Sequence, residues 1–127
     1  MKYLLDSHVI LWLSGDSGKI SKNAMEEITN IENDLLVSIA SLWEIAIKIN
    51  LGKLDINISL AQLFNEIQNC GFEIIPIKPD HILRLHDLPY FHKDPFDRLL
   101  IATAFCENLT ILSADENIRK YSISWLW

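Results

Sequence analysis

Short apolar runs alternate along this chain with stretches whose apolar positions recur at helical spacing. Tyr3-Leu4-Leu5 predicts a strand that ends at Asp6, and Ser7 is placed to cap a helix from His8 to about Ser14, stopped by Gly15. Ser21 opens a second helix with Ala24, Met25, Ile28 and Ile31 on one side, and Leu35-Leu36-Val37 reads as the next buried strand. Ser41-Leu42-Trp43-Glu44 has the form of a capping box, predicting a helix that runs to Leu51 and stops at Gly52. Leu60, Leu63, Phe64 and Ile67 follow the i, i+3, i+4, i+7 rule behind Ser59, with Gly71 as the stop. Phe72 to Ile77 is a third strand, and a short helix follows Pro79. Asp94-Pro95 starts a longer helix to about Cys106, with proline suited to the first helical position. Leu109 to Leu112 is a fourth strand, Asp115 to Tyr121 a helical turn or two, and Ile123 to Trp127 a fifth strand.

Strands that alternate with helices predict right-handed crossovers and a parallel sheet covered on both faces, an α/β sandwich. The strands are continuous apolar runs, as expected when both of their faces are buried. The helix from Asp94 to Cys106 is apolar nearly all round and is expected to be central. At 127 residues the chain has the size of one domain, spanning 1–127. Half of its residues are apolar and only four each are Gly and Pro, which excludes disorder and low-complexity tracts. The longest apolar run, Val9 to Leu13, is far short of the roughly 20 residues that span a bilayer, and the first residues lack the zones of a secretory signal. The expectation is a soluble, cytoplasmic protein with no membrane association. Cys70 and Cys106 each end an apolar helical stretch and read as buried thiols, too few for a disulfide framework.

The net charge of −6 argues against a plain nucleic-acid-binding module, because phosphate contacts need Lys and Arg. It leaves open an enzyme whose carboxylates hold divalent cations that then meet the phosphates. The positions of the acids favour that alternative. Asp6 ends strand one, Glu44 lies in the first turn of the helix after strand two, and Asp94 and Asp97 occupy the cap and first turn of the helix before strand four. Asp115 follows strand four. Strand C-termini and helix N-termini share one edge of such a sheet, where open α/β sheets bind ligands. Each acid also has a local use: Asp6, Asp94 and Asp115 as caps, Glu44 as a capping-box residue or the i+4 partner of Lys48, and Asp97 at the positive end of a helix dipole. Caps, however, are satisfied equally by Ser, Thr or Asn, and here carboxylates recur along one edge.

Carboxylates gathered so closely repel one another and take up protons unless cations intervene. An all-oxygen cluster without a Cys or His set suits Mg²⁺ or Mn²⁺. A two-ion site of that kind activates water and stabilises the leaving oxygen of a phosphodiester, and needs no Ser, Cys or His nucleophile. His8, His81, His86 and His92 are scattered; His86 and His92 flank a loop and read as solvated. Arg98 is placed either to contact phosphate or to brace the carboxylates. Trp43, Trp125 and Trp127 read as core or interface residues. The helix from Ser41 is apolar over more than one face, with Ser41, Glu44 and Lys48 as a narrow polar stripe, so either neighbouring helices or a partner cover its second surface.

These motifs resemble a known family. Asp6-Ser7 after an apolar strand, Ser41-Leu42-Trp43-Glu44-Ile45, Asp94-Pro95-Phe96-Asp97-Arg98-Leu99-Leu100-Ile101-Ala102 and Ser113-Ala114-Asp115 are similar, in order and over essentially the whole chain, to the PIN-domain ribonucleases, in particular the VapC-type toxins of prokaryotic toxin–antitoxin pairs. The resemblance implies a three-layer α/β/α sandwich with a five-stranded parallel sheet in the order 3-2-1-4-5. It also implies Mg²⁺- or Mn²⁺-dependent endoribonuclease activity on an RNA substrate, a homodimer and a cognate antitoxin. Asp6, Glu44, Asp97 and Asp115 match the family's acidic quartet, Asp94 an additional acid, and Ser113 a supporting hydroxyl. Ser7, Arg98 and Lys48 are further candidates for support. Two other readings meet the same acidic edge less well. A phosphoacceptor signalling domain would want an Asp at the end of strand three, where Ile77-Lys78-Pro79 stands; a catalytically silent binding module would lack one of the acids, and none is missing.

Overall fold

The computed structural model describes residues 1–127. Strand β1 (Lys2–Leu5) leads into helix α1 (Ser7–Gly15), followed by α2 (Lys22–Thr29), β2 (Asp34–Ser38), α3 (Ile39–Asn50) and α4 (Leu60–Asn69). Then come β3 (Glu73–Ile75), α5 (Pro79–Asp87), α6 (Pro95–Glu107), β4 (Thr110–Leu112) and β5 (Trp125–Leu126). All four strand pairings are parallel, and the sheet order is β3-β2-β1-β4-β5. The strand alternation sorts the core into two halves. Tyr3, Leu5, Leu35, Val37 and Leu112 pack with residues of α1, α2, α3 and α4 on one face. Leu4, Leu36, Ile75 and Ile111 pack with residues of α6, the end of α5 and the segment around Tyr121 on the other. Both faces are therefore covered, which is why the strands carry no polar alternation. No helix is long and apolar enough to cross a membrane.

Several local expectations change. Helix α1 is capped by Asp6 and not by Ser7: the His8 N–H donates to Asp6 Oδ1, and Ser7 is already helical. The cap of helix α3 lies three residues before the apparent capping box: it is Ser38, which accepts from the Ala40 N–H. Ser41 and Glu44 are thus inside the helix, and Glu44 sits in its second turn. The capping-box pattern was a coincidence of spacing; the box that does form is Ser59 with Gln62 at the start of α4. Gly52 and Gly71, at φ 71° and 82°, end α3 and α4 in the left-handed region where glycine is preferred. The helical turns expected over Asp115 to Tyr121 reduce to a 3₁₀ segment at Ile118–Lys120, and the fifth strand to two residues. Both cysteines are exposed, because Cys70 and Cys106 lie past the points where their helices meet the core. Leu99 to Ala104 of α6, by contrast, are buried without a break, as the all-round apolar pattern predicted.

Candidate active site

The site begins with a register. Leu5 pairs with Leu112, so Asp6 and Ser113 stand side by side one residue beyond β1 and β4. The Asp6 N–H continues the ladder by donating to the Leu112 carbonyl at 3.1 Å. Ser113 Oγ donates to Asp6 Oδ2 at 2.5 Å and accepts the Asp115 N–H at 3.0 Å, which ties the first acid to the last. Ser7 Oγ donates to the other oxygen of Asp6 at 3.3 Å. Burial alone would push the Asp6 carboxyl up, but hydrogen bonds from His8 and Ser113 and the His8 charge outweigh it, and Asp6 is held below the usual carboxylate range. The same contact with Asp6 holds the His8 imidazole above its ordinary value.

Glu44 is buried on α3 and meets Lys48 one turn later at 3.1 Å. Burial works against the Lys48 charge, and the charges of Glu44, Asp94 and Asp97 more than restore it. Asp94 caps α6 by accepting the N–H groups of Phe96 and Asp97 at 2.9 and 3.0 Å on a single oxygen. Asp115 likewise spends one oxygen on the Asn117 N–H. Asp94 and Asp115 thus each spend one oxygen on local backbone N–H groups and leave the other. Asp97, in the first turn of α6, shows what the arrangement costs. Burial first, and then the charges of Asp6, Asp94, Asp115 and Glu44, push its carboxyl up to about 8. One largely enclosed carboxylate thus feels all four of the others.

As donors for a metal, these side chains are all oxygen, and their crowded negative charge is what a hard divalent cation relieves. No three His, Cys, Asp or Glu side chains close to ligating distance of a common point. Mg²⁺ does not require such a cage, since it binds through one or two carboxylates and keeps several waters. The residues present fit that kind of ion. Beside them a cavity of about 260 Å³, lined by Asp6, His8, Trp12, Ala114 and Asp115, leads in from solvent.

Two expectations fail here. Arg98 touches no carboxylate and does not face the pocket: its guanidinium donates to the carbonyls of Pro89, Leu85 and Leu88 and to the Tyr121 hydroxyl, and lies over the Tyr90 ring. His92 is not a solvated loop residue, since its ring is largely enclosed and contacts both Asp97 and Tyr121. His86, in contrast, is exposed at the end of α5. Tyr121 is a contributor that sequence reasoning missed. No local pattern signals it, since Tyr121 lies 29 positions from His92 and meets it only through the fold. Of the two alternatives for Trp43, core or interface, its 58% exposure removes the first, and its ring lies edge-on to Phe96. Trp125 is similarly exposed beneath Arg119, and Trp127 packs on Trp12.

Comparison with known proteins agrees with this architecture. The ribonuclease VapC22 of Mycobacterium tuberculosis is 29% identical over 123 residues, which cover 93% of this chain and 90% of the relative. The VapBC2 structure from Rickettsia felis, solved bound to a promoter DNA fragment, superposes with a TM-score of 0.74 at 14% identity, covering 99% of this chain and 98% of that one. A toxin–antitoxin complex from Klebsiella pneumoniae gives a TM-score of 0.65 at 16% identity, covering 98% and 96%. At such identities the two structures speak to the fold. The sequence family described as the PIN domain matches residues 3–123, nearly the whole length, and this chain belongs to it.

Proposed function

We propose that this protein is an endoribonuclease of the VapC type, the toxin of a toxin–antitoxin pair, and that Asp6, Glu44, Asp97 and Asp115, assisted by Asp94, hold Mg²⁺ or Mn²⁺ and carry its chemistry. The observation behind the reading is the meeting of these acids at one sheet edge, with Asp97 facing the charges of the other four. Bound there, such ions supply an activated water and neutralise charge on the scissile phosphate. The protein's own part is positioning. Ser113 and Ser7 fix the two oxygens of Asp6, and Asp94 fixes the start of the helix that presents Asp97. Lys48, held on Glu44, is a cation inside the acidic pocket and is placed to meet a phosphate oxygen as RNA enters.

The relatives' names support the biological role. A ribonuclease of this family and complexes described as toxin with antitoxin point to a cognate antitoxin for this chain, and the excess negative charge suits a basic inhibitory segment. A homodimer fits the apolar residues that α3 leaves outside, Ile39 and Trp43 among them, and the cytoplasm is where such an enzyme meets its RNA. The test is cleavage of a structured RNA pool with Mg²⁺ or Mn²⁺ by the wild type and by Asp6→Asn and Asp97→Asn. Each variant should lose about 100-fold or more in rate while keeping its fold, because a ligand to the ion has a larger effect than the outer residues, which are worth 10–100-fold. Undiminished cleavage by both would end the proposal.

A further inference from the structure

A buried hydrogen-bond chain reaches Asp97 from behind. Arg98, His92 and Tyr121 come from α6, from the loop before it and from the end of the 3₁₀ segment, and each is almost wholly enclosed. Arg98 donates to the Tyr121 oxygen at 3.0 Å, Tyr121 lies 2.9 Å from His92 Nδ1, and His92 Nε2 lies 3.3 Å from Asp97 Oδ2. The direction of the chain follows from the donor inventory. A guanidinium only donates and an ionised carboxylate only accepts, so with Asp97 ionised the neutral His92 ring gives its hydrogen to Asp97 and its Nδ1 accepts the Tyr121 hydroxyl proton, while the Tyr121 oxygen accepts from Arg98. The imidazole hydrogen is then on Nε2, where it is donated to Asp97. Arg98 also pins the loop carrying His92 through the carbonyls of Leu88 and Pro89, so the imidazole is held at both ends.

We propose that this chain orients the Asp97 carboxylate against the repulsion of its four acidic neighbours, and that His92 and Tyr121 are positioning residues for the divalent cation. The inference rests on the metal-dependent reading above. A first-turn aspartate flanked by like charges is driven to rotate away from them; a donor on Oδ2 holds it in place and leaves Oδ1 for the ion. Outer partners of this kind typically change metal affinity by about 10–100-fold. If the three residues merely fastened the loop, their loss would lower stability and leave metal affinity unchanged.

The experiment is Mn²⁺ titration of the RNA-free protein, followed by the electron paramagnetic resonance of the unbound ion, for the wild type, Tyr121→Phe, His92→Leu, His92→Gln and Asp97→Asn. Tyr121→Phe keeps the ring and should weaken Mn²⁺ binding by about 10-fold; His92→Leu should weaken it by at least as much. His92→Gln, whose amide N–H reaches the same carboxylate oxygen, should recover most of the loss. Folded Tyr121→Phe and His92→Leu proteins that bind Mn²⁺ within about twofold of wild type, beside an Asp97→Asn protein that does not, would overturn the chain's role and leave the site reading intact. Failure of the wild type to bind Mn²⁺ would overturn both. Should the variants not fold, ¹⁵N resonances of His92 in the wild type saturated with diamagnetic Mg²⁺, where Asp97 is ionised, decide: hydrogen on Nε2 is expected, and hydrogen on Nδ1 contradicts the proposal.

Discussion

Asp97 concentrates the electrostatic strain of the molecule in one side chain. With its carboxyl raised from the ordinary value near 3.8 to about 8, the folded protein keeps a proton that the unfolded chain has already released. Folding stability contributed by this group is therefore complete only below about pH 4, and it falls as the pH climbs toward 8. In chelator-containing buffer, thermal melts of the wild type should show this decline. Asp97→Asn should remove its share of it and melt higher at pH 8 by about 4 °C or more, which at this chain length corresponds to about 1 kcal/mol. At pH 4 the two proteins should differ little. A variant that melts lower at pH 8 would mean that Asp97 is not crowded by its neighbours. The same residue illustrates what was legible in advance: its type and its place in the first turn of a helix were plain, whereas its proton affinity depends on Asp6, Glu44 and Asp115, which only the fold brings near. His92 reads as solvated for a similar reason, since one partner, Asp97, sits in a helix it does not belong to and the other, Tyr121, lies 29 positions along the chain.

At the scale of elements, the entry to α6 does two jobs with one residue. Asp94 satisfies two backbone N–H groups of the first turn and places a negative charge at the pocket. The two contributions separate by substitution. Asp94→Ala should cost about 1 kcal/mol, typical of a lost N-cap, and lower the melting temperature by about 4 °C. Asp94→Asn keeps the cap and should leave the melting temperature unchanged or slightly higher in chelator, while any loss of RNA cleavage it shows measures the charge alone. Equal loss of stability in both variants would show that capping was misassigned. Helix α6 was readable because Asp-Pro marks its start and an unbroken apolar surface its burial. Helix α3 was misplaced at its start because two serines, Ser38 and Ser41, both make good caps. The choice between them is made by where β2 ends, at its pairing of Ser38 with Ile75, and nothing local reports that.

Across the whole molecule, a net charge of −6 is gathered unevenly, with five carboxylates at one edge. An ion that binds the folded chain and not the unfolded one adds RT ln(1 + [L]/Kd), about 2.7 kcal/mol at 100 times its Kd. Saturating Mn²⁺ should therefore raise the melting temperature by about 10 °C and excess chelator reverse it, with Ca²⁺ or monovalent salt at equal ionic strength doing much less. No shift with Mn²⁺ would count against the metal centre. The α/β class was evident from alternating runs, but strand order was not, since many orders share that alternation; only the resemblance supplied it. That order is what makes β1 and β4 neighbours and so creates the site.

The bond from Ser113 to Asp6 joins residues 107 positions apart. During synthesis the N-terminal acid leaves the ribosome long before the strand beside it exists. A chain cut short anywhere before β4 holds its carboxylates without the scaffold that aligns them. Whatever this alignment of carboxylates does is thereby withheld from a nascent chain until β4 has been made and paired with β1.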